Sequence, residues 1–215
     1  MRNLVIFGDS LFAERLYRYI EHEKNDTVVA FTQEQRFMSR DSICGIPVVP
    51  FESLANDIDS DFEIIIGIGY SDLNNLRVRI YNMCKDAGHA VGTYISRNAT
   101  VYTENIAEGS FICPGAILGP GVKVGICNFI ASGSILSHDN ILGNFNFISS
   151  GATFGGYAEI KDYCFIGLNS TIKDNISIAD KTLIGAATNV LKSITQTGQT
   201  FIGNPARLLN NSHES

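Results

Sequence analysis

The chain has 215 residues, 45% of them hydrophobic and 18% charged, which is too apolar for a disordered polymer and ordinary for a packed one. Lys+Arg number 16 against 22 Asp+Glu, a net charge of −6 and the wrong sign for a protein that lives on nucleic-acid phosphates or an anionic membrane surface. The longest apolar run, Phe62 to Tyr70, is broken by Glu63, Gly67 and Gly69 and falls far short of the ~20 residues of a membrane span.

The N-terminal MRNLVIFGDS turns polar before any small-residue cleavage site, so a cytoplasmic address is expected. Cys44, Cys84, Cys113, Cys127 and Cys164 make an odd count with no CxxC pair, which reads as reduced thiols rather than a disulfide scaffold or a zinc site. No metal is expected.

Residues 1–95 alternate short apolar runs with helix-period stretches: Leu4–Phe7, Leu11–Glu23, Thr27–Phe31, Pro47–Val49, Ile64–Ile68, Leu73–Ala87 and Val91–Ile95. Strand, helix, strand in that order predicts a small α/β domain with a parallel sheet. In Leu11–Glu23 the apolar Leu11, Phe12, Leu16, Tyr19 and Ile20 mark one helix face against that sheet. The turn Gly8-Asp9-Ser10 lies between a strand and a helix start, where free N–H groups favour an anion. It has one glycine rather than a GxGxxG, so the plainer reading is a tight turn with Ser10 as N-cap. Gly67-Ile68-Gly69-Tyr70 ends a second strand at the same sheet edge, where open α/β folds bind ligands.

Residues 96–209 obey a different period, followed by a polar tail over 210–215. Every sixth position from Ile106 to Val190 is apolar, an outcome with a chance on the order of one in a hundred thousand at this composition. Four residues after each aliphatic the side chain is usually small or polar, as at Ser110, Ala116, Asn128, Ser134, Asn140 and Asn146. The residue directly after it is often Gly or Ala, as at Gly119, Gly125, Gly143, Gly155 and Gly167, read as tight corners. A hexapeptide repeat is the signature of a parallel β-helix, and no α-helix or coiled coil can use a period of six. Three six-residue faces make a coil, so Ile106 to Thr195 supplies five coils without an expanded hexad. So thin a prism buries little by itself, and association along its faces is expected.

The chain resembles the bacterial sugar O-/N-acyltransferases with a left-handed β-helix, the family of sialic acid O-acetyltransferases and of N-acetyltransferases acting on nucleotide-linked 4-amino-4,6-dideoxy sugars. The likeness runs through VIFGDS, VVAFTQ, GIPVVPFESL, IIIGIGYSDLNNLR, LSHDNILGNF, the IGLNSTI run and the closing FIGNPARLL. It implies a Rossmann-like N-terminal domain, a left-handed coil, acetyl-CoA as co-substrate, and a homotrimer with sites at subunit interfaces. GIPVVPFESL and GYSDLNNLR point to the amino-sugar branch.

By this resemblance His138 is the general base and Asp139 its carboxylate partner, a pairing suited to deprotonating a sugar amine that attacks a thioester. Gly156 supplies the oxyanion N–H. The pantetheine arm maps onto Phe147, Gly156, Leu168 and Ala186. Lys173, Lys181, Lys192 and Arg207 are basic residues near the last coils that can meet the CoA phosphates or face solvent. The nucleotide maps onto Gly8, Asp9, Ser10, Thr32, Gln33, Gly69 and Tyr70, the last stacking on a base or capping the sheet. Two positions depart from the family: Phe147 stands where many members carry a second His, and Leu11 and Phe12 replace the small and His residues after the first turn. His22, His89 and His213 read as solvated surface residues. O-acetylation of a sugar such as sialic acid, and a non-enzymatic binding solenoid, are the alternatives. A three-histidine zinc hydratase is set aside because the coils offer one His.

Overall fold

A computed structural model of the chain describes residues 1–70 and 72–209. Met1–Arg97 form one compact unit, and the residues from Asn98 onward form another.

The first unit carries strands β1 (Asn3–Phe7), β2 (Thr27–Gln33), β3 (Ser42–Ile43), β4 (Ile46–Pro50) and β5 (Glu63–Ile66), in the sheet order β3-β4-β2-β1-β5. All pairings are parallel except the short β3–β4 edge. Leu4, Val5, Ile6 and Phe7 of β1 are fully buried, as a central parallel strand covered on both faces requires. Helix α1 (Leu11–Glu23) turns Ala13, Leu16 and Ile20 inward and ends where Lys24 takes φ 53° and donates its N–H to the Ile20 carbonyl. The short helix α2 (Leu54–Asp57) buries Leu54.

Helix α3 runs from Asn75 to Asp86, starting later than the expected Leu73 because Leu73 and Asn74 both take left-handed φ, which no α-helix accommodates. The expected strand Val91–Ile95 is not continuous: Val91 bridges Ile64 alone, and Gly92 packs so tightly over Glu63 that its Cβ would lie 2.9 Å from the Glu63 Cβ. The C-terminal end of the unit is tied to α1 through buried Glu23, whose carboxylate accepts from Tyr94 Oη at 2.7 Å, the Arg97 N–H at 3.0 Å, and Ser96 Oγ. His89 is half-buried between the Phe51 and Phe62 rings rather than solvated, and burial pushes its pKa down. His22 is exposed, and His213 lies outside the described residues.

The second unit is a parallel β-helix of two-residue strands on three faces. One face stacks Lys123–Val124, Ile141–Leu142, Glu159–Ile160 and Ser177–Ile178, with partners offset by one coil. A second stacks Phe111–Ile112, Phe129–Ile130, Phe147–Ile148, Phe165–Ile166 and Leu183–Ile184. A third stacks Ile117–Leu118, Ile135–Leu136, Thr153–Phe154, Thr171–Ile172 and Asn189–Val190. The coil begins earlier than Ile106, since Thr100–Val101 already pairs with Ile117–Leu118. It also runs past Thr195, where Thr200–Ile202 closes on Leu183–Ile184 and turns back through Arg207–Leu208.

The aliphatic column from Ile112 to Val190 is buried and forms one continuous core. A second column also points inward, at the position four residues on: Ser110, Asn128, Ser134, Asn140, Asn146, Ser170, Thr182 and Thr188 are all buried. Most of their polar groups have backbone partners, with Asn140 Oδ1 and Asn146 Nδ2 the exceptions. Asn128 Nδ2 donates to the Gly143 carbonyl at 2.8 Å, Ser134 Oγ to Ser149 at 3.0 Å, Asn140 Nδ2 to Gly155 at 2.7 Å, and Ser170 Oγ to Gly185 at 2.9 Å. Burying a polar group is costly without such partners, and the carbonyls of the next turn of the coil supply them to short polar side chains here.

The expected role of the repeated glycines is corrected. Left-handed φ falls at every sixth residue from Gly109 to Ala187, and most of these corner residues after Gly121 are not glycine. The glycines directly after the aliphatic are outside the left-handed region and are required by the next coil. A Cβ at Gly125 would lie 2.6 Å from the Gly143 carbonyl oxygen, and one at Gly167 2.6 Å from that of Ile184. Close approach of backbones, rather than turning, selects glycine there.

Candidate functional site

Each coil has three corners, and residues one coil apart stack in a column. The column that holds His138 also contains Pro120, Gly156 and Asp174. His138 Nδ1 lies 3.0 Å from Asp139 Oδ2, and both side chains are about half exposed. With Nδ1 hydrogen-bonded to a carboxylate, the imidazole is held in one orientation and the tautomer that leaves Nε2 as the acceptor is favoured.

The ring lies over Gly156 of the next coil. A Cβ at Gly156 would overlap His138 Nε2 and Cε1, and one at Gly121 would overlap Asp139 Oδ1. Both glycines therefore make the space that the pair occupies. Among the described residues no acceptor takes the Gly156 N–H, while its carbonyl accepts from Asn175. Imidazole nitrogen and uncommitted amide thus sit side by side, as a base and an oxyanion donor must.

Phe147 is the middle of an aromatic ladder, with ring centroids 4.7 Å from Phe129 and 5.6 Å from Phe165, so its ring is packed, and a phenyl has no group with which to hydrogen-bond a thioester carbonyl. Leu168 and Ala186 are exposed and share a corner, where Ala187 donates its N–H to the Leu168 carbonyl at 2.7 Å. The four basic residues separate. Lys192 and Arg207 line one cavity of about 510 Å³ at the end of the coil, walled by Val190, Ile194, Phe201 and Pro205. Lys173 lies 4.0 Å from Asp174, and Lys181 covers the Tyr163 ring.

In the first unit, Gly8, Asp9, Ser10, Gln33, Gly69 and Tyr70 come together around a cavity of about 570 Å³ at the C-terminal edge of the parallel sheet. Thr32 does not join them: it is fully buried and its Oγ1 donates to the Val49 carbonyl at 2.9 Å. Ser10 occupies the N-cap position of α1, but its side chain makes no capping hydrogen bond and is exposed. Asp9 is buried, and its Oδ2 accepts from the Ser39 N–H and Oγ, both at 2.7 Å. Its carboxylate therefore anchors the loop after β2. Leu11, Phe12, Ile68 and Leu76 complete the lining and make it mostly apolar. Just outside, buried Glu34 binds Arg79 Nη2 at 2.6 Å and Arg36 Nη2 at 2.9 Å, which hold its carboxyl below the usual range. Arg77 of α3 is fully buried and donates to the Ile68 carbonyl, placing a cation behind the cavity wall.

Sequence reading missed Tyr157, which stands edge-to-face with His138 at a centroid distance of 5.1 Å. The signal was present, since residue 157 is the coil-to-coil neighbour of Asp139 in the repeat. Among the described residues no group of three or more His, Cys, Asp or Glu could hold a metal ion, and no helix is long and apolar enough to cross a membrane.

No protein-family model and no curated protein matches the chain significantly. Solved structures do. The acetyltransferase domain of PglB from Neisseria gonorrhoeae FA1090 is 23% identical over 97% of this chain and 100% of that one, with a TM-score of 0.82. The same domain is known in complex with acetyl coenzyme A. A perosamine N-acetyltransferase from Caulobacter crescentus, in complex with CoA and GDP-perosamine, is 19% identical over 98% of each chain, with a TM-score of 0.84. WeeI from Acinetobacter baumannii AYE is 23% identical over 97% of this chain and 100% of that one, with a TM-score of 0.85. At these identities the likeness establishes the fold alone, which this chain shares with the PglB acetyltransferase domain, the perosamine N-acetyltransferase and WeeI.

Proposed function

We propose that this chain is an acetyl-CoA-dependent N-acetyltransferase acting on the amino group of a nucleotide-linked 4-amino-4,6-dideoxy sugar. The observation that carries the reading is the His138 ring, tied through Nδ1 to Asp139 and lying on Gly156 with its uncommitted N–H. Solved proteins of the same fold bind acetyl coenzyme A, or CoA together with GDP-perosamine, which supports both substrates.

In this reading His138 Nε2 takes the proton of the sugar amine as its nitrogen attacks the thioester carbonyl. The Gly156 N–H donates to the carbonyl oxygen as it gains charge. A C–N bond forms, the C–S bond breaks, and the imidazolium returns its proton to the departing thiolate. Asp139 holds the ring and stabilises its charged form. Leu168 and Ala186 provide the corner along which the pantetheine arm runs, with Phe147 packed in the adjoining face and Lys192 and Arg207 positioned for phosphates. The cavity lined by Gly8, Asp9, Ser10, Gln33, Gly69 and Tyr70 takes the nucleotide, with diphosphate toward the N-terminus of α1.

The first domain is then Rossmann-like, the coil left-handed, the address cytoplasmic, and the assembly a homotrimer with sites between subunits. The exposed Ile117, Ile141 and Leu168 favour burial against another copy. Mass spectrometry of products formed from acetyl-CoA and a panel of dTDP-, UDP- and GDP-linked amino sugars tests the reading. Acetylation of an amino sugar is the expected result. Product only from a hydroxyl acceptor such as sialic acid makes it an O-acetyltransferase, and absence of both product and CoA binding makes it a binding solenoid.

A further inference from the structure

We infer that Tyr157 is a positioning and specificity residue of this same site: its ring clamps the His138 imidazole and forms the apolar wall against which the acceptor sugar packs. This rests on the acetyltransfer reading above.

The first observation is conformational. Tyr157 takes φ 58°, a left-handed backbone that bulky side chains rarely adopt, while its column neighbours there are Gly121, Asp139 and Asn175. The same left-handed corner holds Phe145 and Tyr163 in the neighbouring column, so this conformation is the coil's own, and what distinguishes Tyr157 is the imidazole its ring faces. Here the Tyr157 N–H donates to the His138 carbonyl at 3.1 Å, locking the two residues together across the coil step.

The second observation is contact. The Tyr157 and His138 rings meet at 88° and 5.1 Å, the edge-to-face geometry in which aromatic pairs attract. Asp139 restrains the imidazole at Nδ1, Gly156 lies beneath it, and Tyr157 closes a third side. Without that side, rotation of a half-exposed imidazole about its side-chain bonds is opposed by one hydrogen bond.

The third observation is exposure. Tyr157 is 58% accessible, so the face of its ring turned away from His138 is open to a ligand. A nucleophile must come within about 3 Å of Nε2 to give up its proton, so the sugar that carries it has to pass beside this ring. The carbon-bound hydrogens of a deoxy sugar are complementary to an aromatic face, and packing of this kind is worth about a factor of ten in binding.

The test is steady-state kinetics of Tyr157→Asn and Tyr157→Phe, with acetyl-CoA and the acceptor varied separately. Asparagine suits the left-handed backbone, so Y157N is expected to fold with an unchanged or higher Tm. It should raise the acceptor KM about tenfold and lower kcat about tenfold, while leaving the acetyl-CoA KM within twofold. Y157F keeps the ring and should restore most of both parameters. In parallel, the His138 Cε1–H proton resonance should move in Y157N and stay in Y157F, a readout that needs no turnover. Wild-type kinetics in Y157N, or an unmoved His138 resonance, overturns the inference. Y157F as impaired as Y157N also overturns it, by assigning the effect to the hydroxyl. Wild-type protein that acetylates no amino sugar overturns the parent reading instead, and the specificity role with it.

Discussion

Two corner columns of the same coil differ in one respect that separates scaffold from site. In the column Ile126, Asn144, Asp162 and Asp180, each corner amide is taken by the side chain of the next coil. Ile126 N–H donates to Asn144 Oδ1 at 2.9 Å, Asn144 N–H to Asp162 Oδ1 at 2.7 Å, and Asp162 N–H to Asp180 Oδ1 at 2.9 Å. In the column of His138 and Gly156 the corresponding amides have no acceptor among the described residues. The backbone is the same, with left-handed corner residues at Phe145 and Tyr163 in one column and at Asp139 and Tyr157 in the other. A carboxamide or carboxylate at the corner closes it. A histidine and a glycine leave it open to a ligand.

That contrast can be broken most severely at His138. Under the proposed mechanism, replacing it with Asn should lower kcat at least about a hundredfold with the circular dichroism and Tm retained. Survival of activity would remove His138 from the chemistry. Gly156→Ala attacks the open corner from below. The methyl group must displace the ring, and under the proposed mechanism a loss of about a hundredfold in kcat at normal stability is expected.

The closed corner should respond in the opposite sense. Asp162→Ala leaves the Asn144 N–H without its acceptor, and about 1 kcal/mol of stability should go, read as a Tm lower by roughly 2–4 °C, with kcat per folded molecule unchanged. An unchanged Tm would show that water satisfies this amide as well as the carboxylate does. The smallest effect is at Cys164, beside the closed corner, where burial pushes the thiol up to about 12. Because a raised pKa means no thiolate until strongly alkaline solution, iodoacetamide at pH 8 should label exposed Cys44 and spare Cys164 in the folded protein. Rapid labelling of Cys164 would mean that the closed corner opens.

Much of this was legible in the residues. The hexad beat from Ile106 to Val190 specifies the coil because every repeat makes the same local contacts with its neighbours, so register carries over from one to the next. His138 and Asp139 stand out as an adjacent pair, and six of the seven residues assigned to the sheet edge do line its cavity. Other features depended on groups distant along the chain. Thr32 is lost to the cavity because β4 offers the Val49 carbonyl, and Asp9 is drawn to Ser39 across the loop after β2. α3 starts late because Leu73 and Asn74 turn left-handed, which no periodicity announces.

The glycine column shows the division at its sharpest. Composition and spacing determined that the chain winds into stacked coils with an aliphatic core and one imidazole on the outside. Only the tertiary structure decided that the repeated glycines yield to the next coil's backbone rather than turn the chain, that Gly156 lies under the His138 ring, and that Tyr157 closes on it. A repeat dictates what recurs because each unit sees the same neighbours. What a single corner does depends on side chains one coil away, and their reach is set by packing in three dimensions.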